Sequence, residues 1–138
     1  MNTLSGIVLA AFLFAAAGCS KKSKDTIQPA IVGYWEGKYG MGNAVPTGLN
    51  AFLFRKDGTV RAYYDYASAD RTDTAQGDKA EGTYFVTGTT VKATYRFLQG
   101  GDGTSILGTL NTEFTAIDGT YGSGTNTSNG GSFRVFKK

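Results

Sequence analysis

From Ile31 onward, apolar and polar residues alternate over short runs, and turn-forming residues break the alternation at nearly even intervals. In the first run Ile31, Gly33, Trp35, Gly37 and Tyr39 fall on one side and Tyr34, Glu36 and Lys38 on the other. That period of two marks a strand with one buried face. Leu49–Arg55 and Thr59–Tyr64 predict two more strands, joined through Lys56-Asp57-Gly58, and Asp-Gly is a strong hairpin signal. Gly82–Val86 and Thr90–Leu98 predict a hairpin across Thr87-Gly88-Thr89, and Ser105–Leu110, Glu113–Tyr121 and Ser132–Phe136 complete the set. No helical period interrupts them. Eight short strands with hairpin spacing predict an all-β domain over residues 31–138, a single eight-stranded antiparallel up-and-down β-barrel without a C-terminal helix.

This pattern also sorts the loops. In an up-and-down barrel alternate connections fall at opposite ends, so Gly40–Gly48, Asp65–Ala80, Gln99–Gly103 and Gly122–Gly131 are expected at one end. The tight connections around Asp57-Gly58, Thr87–Thr89 and Asn111-Thr112 belong at the other. Long loops gathered on a rigid scaffold tend to carry function, which places the expected recognition surface at the long-loop end.

Upstream of residue 31 the pattern changes. Leu4–Ala17 is almost wholly apolar and leads through Ala16-Ala17-Gly18 to Cys19, the only cysteine in the chain. An apolar run of this length ending in small residues reads as a secretory signal rather than a membrane span. Ser20–Ala30 is polar and basic and contains Pro29, the composition of a flexible tether with about 30 Å of reach when extended. The expected organisation is therefore a signal peptide over residues 1–18, an anchor and tether over 19–30, and the barrel over 31–138.

Two resemblances sharpen these expectations. Ala16-Ala17-Gly18-Cys19 resembles the lipobox of bacterial lipoproteins. That resemblance implies a Cys19 acylated with diacylglycerol and palmitate, membrane lipid as a partner, and a lipid-anchored place in the bacterial cell envelope, at the outer membrane. The arrangement is physically sound, because two or more acyl chains hold a protein stably where one does not. Gly33-Tyr34-Trp35 in the first strand resembles the Gly-x-Trp of lipocalins and their calycin relatives, with a domain size closer to avidin-like barrels. It implies that Trp35 plugs one end of the barrel and that a basic residue of the last strand, matched here by Arg134, packs across it.

Charge and chemistry narrow the function. The net charge of +3 comes largely from Lys21, Lys22 and Lys24 in the tether, which suits anionic head groups and gives no case for nucleic acid. There is no histidine, and lipidation would consume the one thiol, so the common general base, nucleophile and metal ligands are missing. Asp57, Asp102 and Asp118 sit beside turn glycines, and Asp65, Asp70, Asp73 and Asp78 match no EF-hand spacing. Ser123, Ser128 and Ser132 lie in or beside a Gly-rich loop without a neighbouring base. No enzyme activity, cofactor or metal is expected. The candidate binding residues are Tyr63, Tyr64 and Tyr66, which run from a strand into the longest loop. The expectation is a monomeric, non-catalytic binding domain taking a small hydrophobic molecule at the barrel mouth. The alternative is a protein-binding, inhibitory or structural envelope module using the long loops. Whether the barrel is open or filled decides between them.

Overall fold

The computed structural model describes residues 30–65 and 78–138. Cys19, the signal segment, nearly all of the tether and Tyr66 lie outside the described residues. Eight strands follow in order: β1 (Gly33–Met41), β2 (Gly48–Phe54), β3 (Thr59–Tyr64), β4 (Asp78–Thr87), β5 (Thr90–Phe97), β6 (Gly103–Leu110), β7 (Ala116–Ser123) and β8 (Gly131–Lys137). Each pairs antiparallel with its sequence neighbour, and β8 returns to β1 through the register Trp35↔Lys137 to Met41↔Gly131, closing the barrel. Closure leaves no sheet edge open to another chain.

The turn chemistry is local. Asp57 Oδ1 accepts hydrogen bonds from the Thr59 amide at 2.9 Å and the Thr59 hydroxyl at 2.6 Å, while Gly58 takes a φ of +83°. Two strand limits differ from expectation. β4 starts at Asp78 rather than Gly82, because its inward positions Ala80 and Gly82 are small and leave no apolar run to read. β7 starts at Ala116 rather than Glu113. Asn111 Oδ1 accepts from the Thr115 amide at 2.8 Å and the Ala116 amide at 3.0 Å, and Phe114 adopts a φ of +55°, so these residues form a turn.

All four long connections begin and end at one rim of the barrel. Contacts tie three of them together: the Gly42 amide donates to the Gly130 carbonyl at 2.8 Å, and the Gly124 amide to the Gly103 carbonyl at 2.7 Å. Chain entry lies at the opposite, tight-turn end. There Ile31 and Trp35 are fully buried, and the Trp35 indole donates to the Ile31 carbonyl at 2.8 Å.

Arg134 does not pack across Trp35. It points outward, pairs with Asp118 at 3.0 Å and lies 5.6 Å from the Phe136 ring centre. The basic side chain over Trp35 belongs to Lys137, whose Nζ is 5.7 Å from the ring and donates to the Ala30 carbonyl. The reason is strand alternation: Phe133 and Val135 face inward, so Lys137 shares their face and Arg134 takes the other.

Side chains fill the interior. Trp35, Phe54 and Tyr84 close the tight-turn end, with ring centres 6.5 Å and 4.8 Å apart in edge-to-face packing. Phe52, Tyr95 and Phe133 occupy the middle, and Val60, Ala62, Ala80, Val91, Ile106, Ile117 and Val135 complete the core. An eight-stranded barrel has room for packed side chains or for one small ligand, and here side chains take it. Outside, Glu81 binds Arg55 at 3.0 Å and also Arg61. Burial works against the Glu81 charge, but the hydrogen bonds from the two guanidinium groups outweigh it and hold its carboxyl below the usual glutamate range.

Candidate binding site at the barrel mouth

At the long-loop rim, each odd-numbered strand carries an aromatic residue at or near the end of its inward face: Tyr39 on β1, Tyr64 on β3, Phe97 on β5 and Tyr121 on β7. Small residues on the even strands make room for these rings. A Cβ on Gly48 would lie 2.4 Å from the Tyr39 ring, and one on Gly130, just before β8, would lie 2.6 Å from the Tyr121 ring. The rings meet edge to face, with Tyr39–Tyr64 centres 5.2 Å apart at 84° and Tyr39–Tyr121 centres 6.0 Å apart at 79°. Aromatic quadrupoles favour this geometry. Together with Asp65 and Thr104 the four rings line a cavity of about 180 Å³.

Each tyrosine hydroxyl at the rim has a protein partner. Tyr39 donates to both Asp65 carboxylate oxygens, at 3.0 and 2.8 Å, and Tyr121 donates to the Gly40 carbonyl at 3.2 Å. Tyr64 shares a short buried hydrogen bond with Tyr95. Burial pushes the Tyr64, Tyr95 and Tyr121 hydroxyls above the usual tyrosine range, so these rings stay neutral. Asp65 adopts a φ of +51°, which is uncommon for a residue with a Cβ, and its amide donates to the Leu49 carbonyl at 2.9 Å. The result is an aromatic bowl with a carboxylate on its edge.

Beneath the bowl lies one anomaly. Asn50 on β2 shares the inward face of Phe52 and Phe54 and pairs in register with Gly37 and Tyr64. It is fully buried, and neither its Oδ1 nor its Nδ2 has a hydrogen-bond partner among the described residues. Buried amides are nearly always paired.

Of the tyrosines named from sequence, Tyr64 lines the cavity. Tyr63 points to the outer wall and packs on Ala51, Leu53 and Tyr34, with the Tyr34 ring centre 6.3 Å away. Sequence reasoning missed Tyr39, Asp65, Phe97 and Tyr121. The available signal was positional: an aromatic residue stands at or near the end of the inward face of every strand that leads into a long loop.

Other surfaces offer different chemistry. A concavity of about 480 Å³ on the outer wall is lined by Glu36, Lys38, Pro46, Leu49, Arg134 and Phe136, mixing both charge signs with apolar groups. Among the described residues no group of His, Cys, Asp or Glu side chains is placed to hold a metal ion.

Fold and site define an eight-stranded antiparallel β-barrel with a filled interior and an aromatic mouth. Comparison with models of protein families, with curated proteins and with solved structures found no match.

Proposed function

We propose that this protein is a lipid-anchored, non-catalytic binding module of the bacterial cell envelope whose lipocalin-like barrel binds a small ligand at its mouth. The observation that carries the reading is the bowl of Tyr39, Tyr64, Phe97 and Tyr121 over a filled interior. Its volume, about 180 Å³, is below the roughly 300 Å³ at which pockets begin to enclose drug-sized ligands. The ligand therefore inserts one compact group and leaves the rest outside. Of the two residues that carried the calycin resemblance, Trp35 is buried at the closed end, whereas Arg134 points away from it and Lys137 lies over the ring, so the barrel's shape and not that residue pair is what remains of the likeness.

The test is a titration with benzyl alcohol, a compact apolar probe, followed by amide chemical shifts. Shifts are expected at the rim, around Gly40, Asp65, Thr104 and Gly122. Shifts confined to the outer wall around Leu49 and Phe136, or none, would refute binding at the mouth. The filled interior, together with Met41 and Val45, exposed by 73% and 79% beside the same rim, favours the second reading, in which an envelope protein docks on the long-loop end. A pull-down partner lost on Met41→Ser/Val45→Ser, without any mouth ligand, would select it.

The anchor is tested separately. Cys19→Ala is expected to abolish incorporation of labelled palmitate and to move the protein from the membrane to the soluble fraction. Unchanged labelling would remove the lipoprotein reading. Because the chain enters the barrel at the tight-turn end, anchoring through Cys19 would turn the mouth away from the membrane.

A further inference from the structure

We infer that the group received by the mouth is a small quaternary ammonium, held by the rings of Tyr39, Tyr64, Phe97 and Tyr121 and by the carboxylate of Asp65. The inference rests on the mouth being the binding site and adds the ligand's chemistry.

Three observations lead to it. First, the described residues lining the cavity are four aromatic rings, one threonine and one carboxylate, with no basic residue among them, so the charge they fix there is negative. Ring faces carry negative electrostatic potential and attract cations, most strongly where water is thinned out. An anionic ligand would meet only repulsion there.

Second, the tyrosine hydroxyl hydrogens that could address a polar ligand are already engaged. Tyr39 donates to Asp65 and Tyr121 to Gly40, and the Tyr64 hydroxyl is turned inward to the buried Tyr95 hydroxyl, with which it forms one hydrogen bond. What remains for the ligand is ring surface and charge. A quaternary ammonium suits such a wall because it carries diffuse positive charge and has no N–H that needs an acceptor. A primary ammonium would lose part of its hydration without enough acceptors to replace it.

Third, Asp65 is held in place. Its left-handed backbone is secured by the hydrogen bond to Leu49, and both its oxygens receive the Tyr39 hydroxyl. Among the described residues no basic side chain forms an ion pair with it, whereas Glu81 and Asp118 each have an arginine. Asp65 thus sets a positioned carboxylate at the cavity edge, where it can face an incoming cation. Donation from Tyr39 also orients that ring and enriches it in electron density.

The experiment compares choline with 3,3-dimethylbutan-1-ol, its neutral isostere, by amide and tyrosine-ring chemical shifts on the full chain. Choline is expected to shift the rim residues and to bind at least tenfold more tightly than the isostere. Asp65→Asn should weaken choline fivefold or more and leave the isostere unchanged. Asparagine tolerates the left-handed backbone, so this variant keeps the fold, which its thermal transition checks. Asp118→Asn, on the outer wall, should change neither ligand. Equal binding of both ligands at the rim would overturn the cation inference while leaving the mouth as the site. Choline shifts gathered away from the rim would overturn it too. If neither ligand binds, the cation inference falls, and the benzyl alcohol titration decides separately whether the mouth reading falls with it.

Discussion

Gly82→Ala is expected to destabilise the barrel by about 3 kcal/mol, near the upper end of what overpacking costs. Gly82 faces inward on β4 opposite Tyr95 of β5. An added Cβ would stand 1.9 Å from the Thr94 carbonyl oxygen and 2.5 Å from the Tyr95 Cα. Both are backbone atoms of a paired strand, so no rotamer change relieves the clash. Either the β4–β5 ladder parts locally or the strand recoils, and the closed ring passes that strain to its neighbours. Gly103→Ala is the control. There a Cβ would meet its nearest atom at 3.5 Å, an ordinary contact, and the backbone lies outside the left-handed region. That variant should stay within about 0.5 kcal/mol of the parent, helped by the smaller entropy of its unfolded chain. Urea denaturation with an unchanged slope measures both. Equal midpoints for the two variants would contradict the close approach of β4 and β5.

Asn50→Leu is expected to raise stability by about 1–3 kcal/mol, the desolvation cost of polar atoms buried without partners. The amide carries two donor hydrogens and an acceptor oxygen, all in the barrel interior with no partner among the described residues. Leucine has nearly the same shape and only apolar surface to bury. The same urea experiment reads the effect. A loss of stability would mean that the amide is satisfied in solution by an interior water or a bound group. In that event Asn50 would count as the floor of the mouth site, since it lies in register beside Tyr64.

The two positions also show where reading from sequence stops. Gly82 is visible as a glycine within a strand, which signals close backbone approach in general. Which strand approaches, and at which atom, depends on the Gly82↔Tyr95 register. Asn50 reads as one polar residue in an apolar run. Its lack of a partner is a property of the three-dimensional neighbourhood, so no local pattern could reveal it. The basic residue over Trp35 is an intermediate case. Phe133 and Phe136 lie on opposite faces of β8, so aromatic content alone does not tell which face is inward. Choosing Arg134 for this role required the wrong face; pairing with β1 puts Lys137 beside Trp35.

By itself the sequence determined the all-β class, the number and order of the strands, the hairpin turns and the sharing of one rim by the long loops. All of these follow from period-two alternation and turn chemistry, which act over a few residues. The β1–β8 register that closes the predicted ring, the filling of its interior and the binding bowl were decided only by tertiary structure. Tyr39, Tyr64, Phe97 and Tyr121 stand far apart in the chain, and each alone is an ordinary inward aromatic residue. They become one site because the barrel brings the ends of alternate strands to a common rim, where small residues on the strands between leave the rings room to meet.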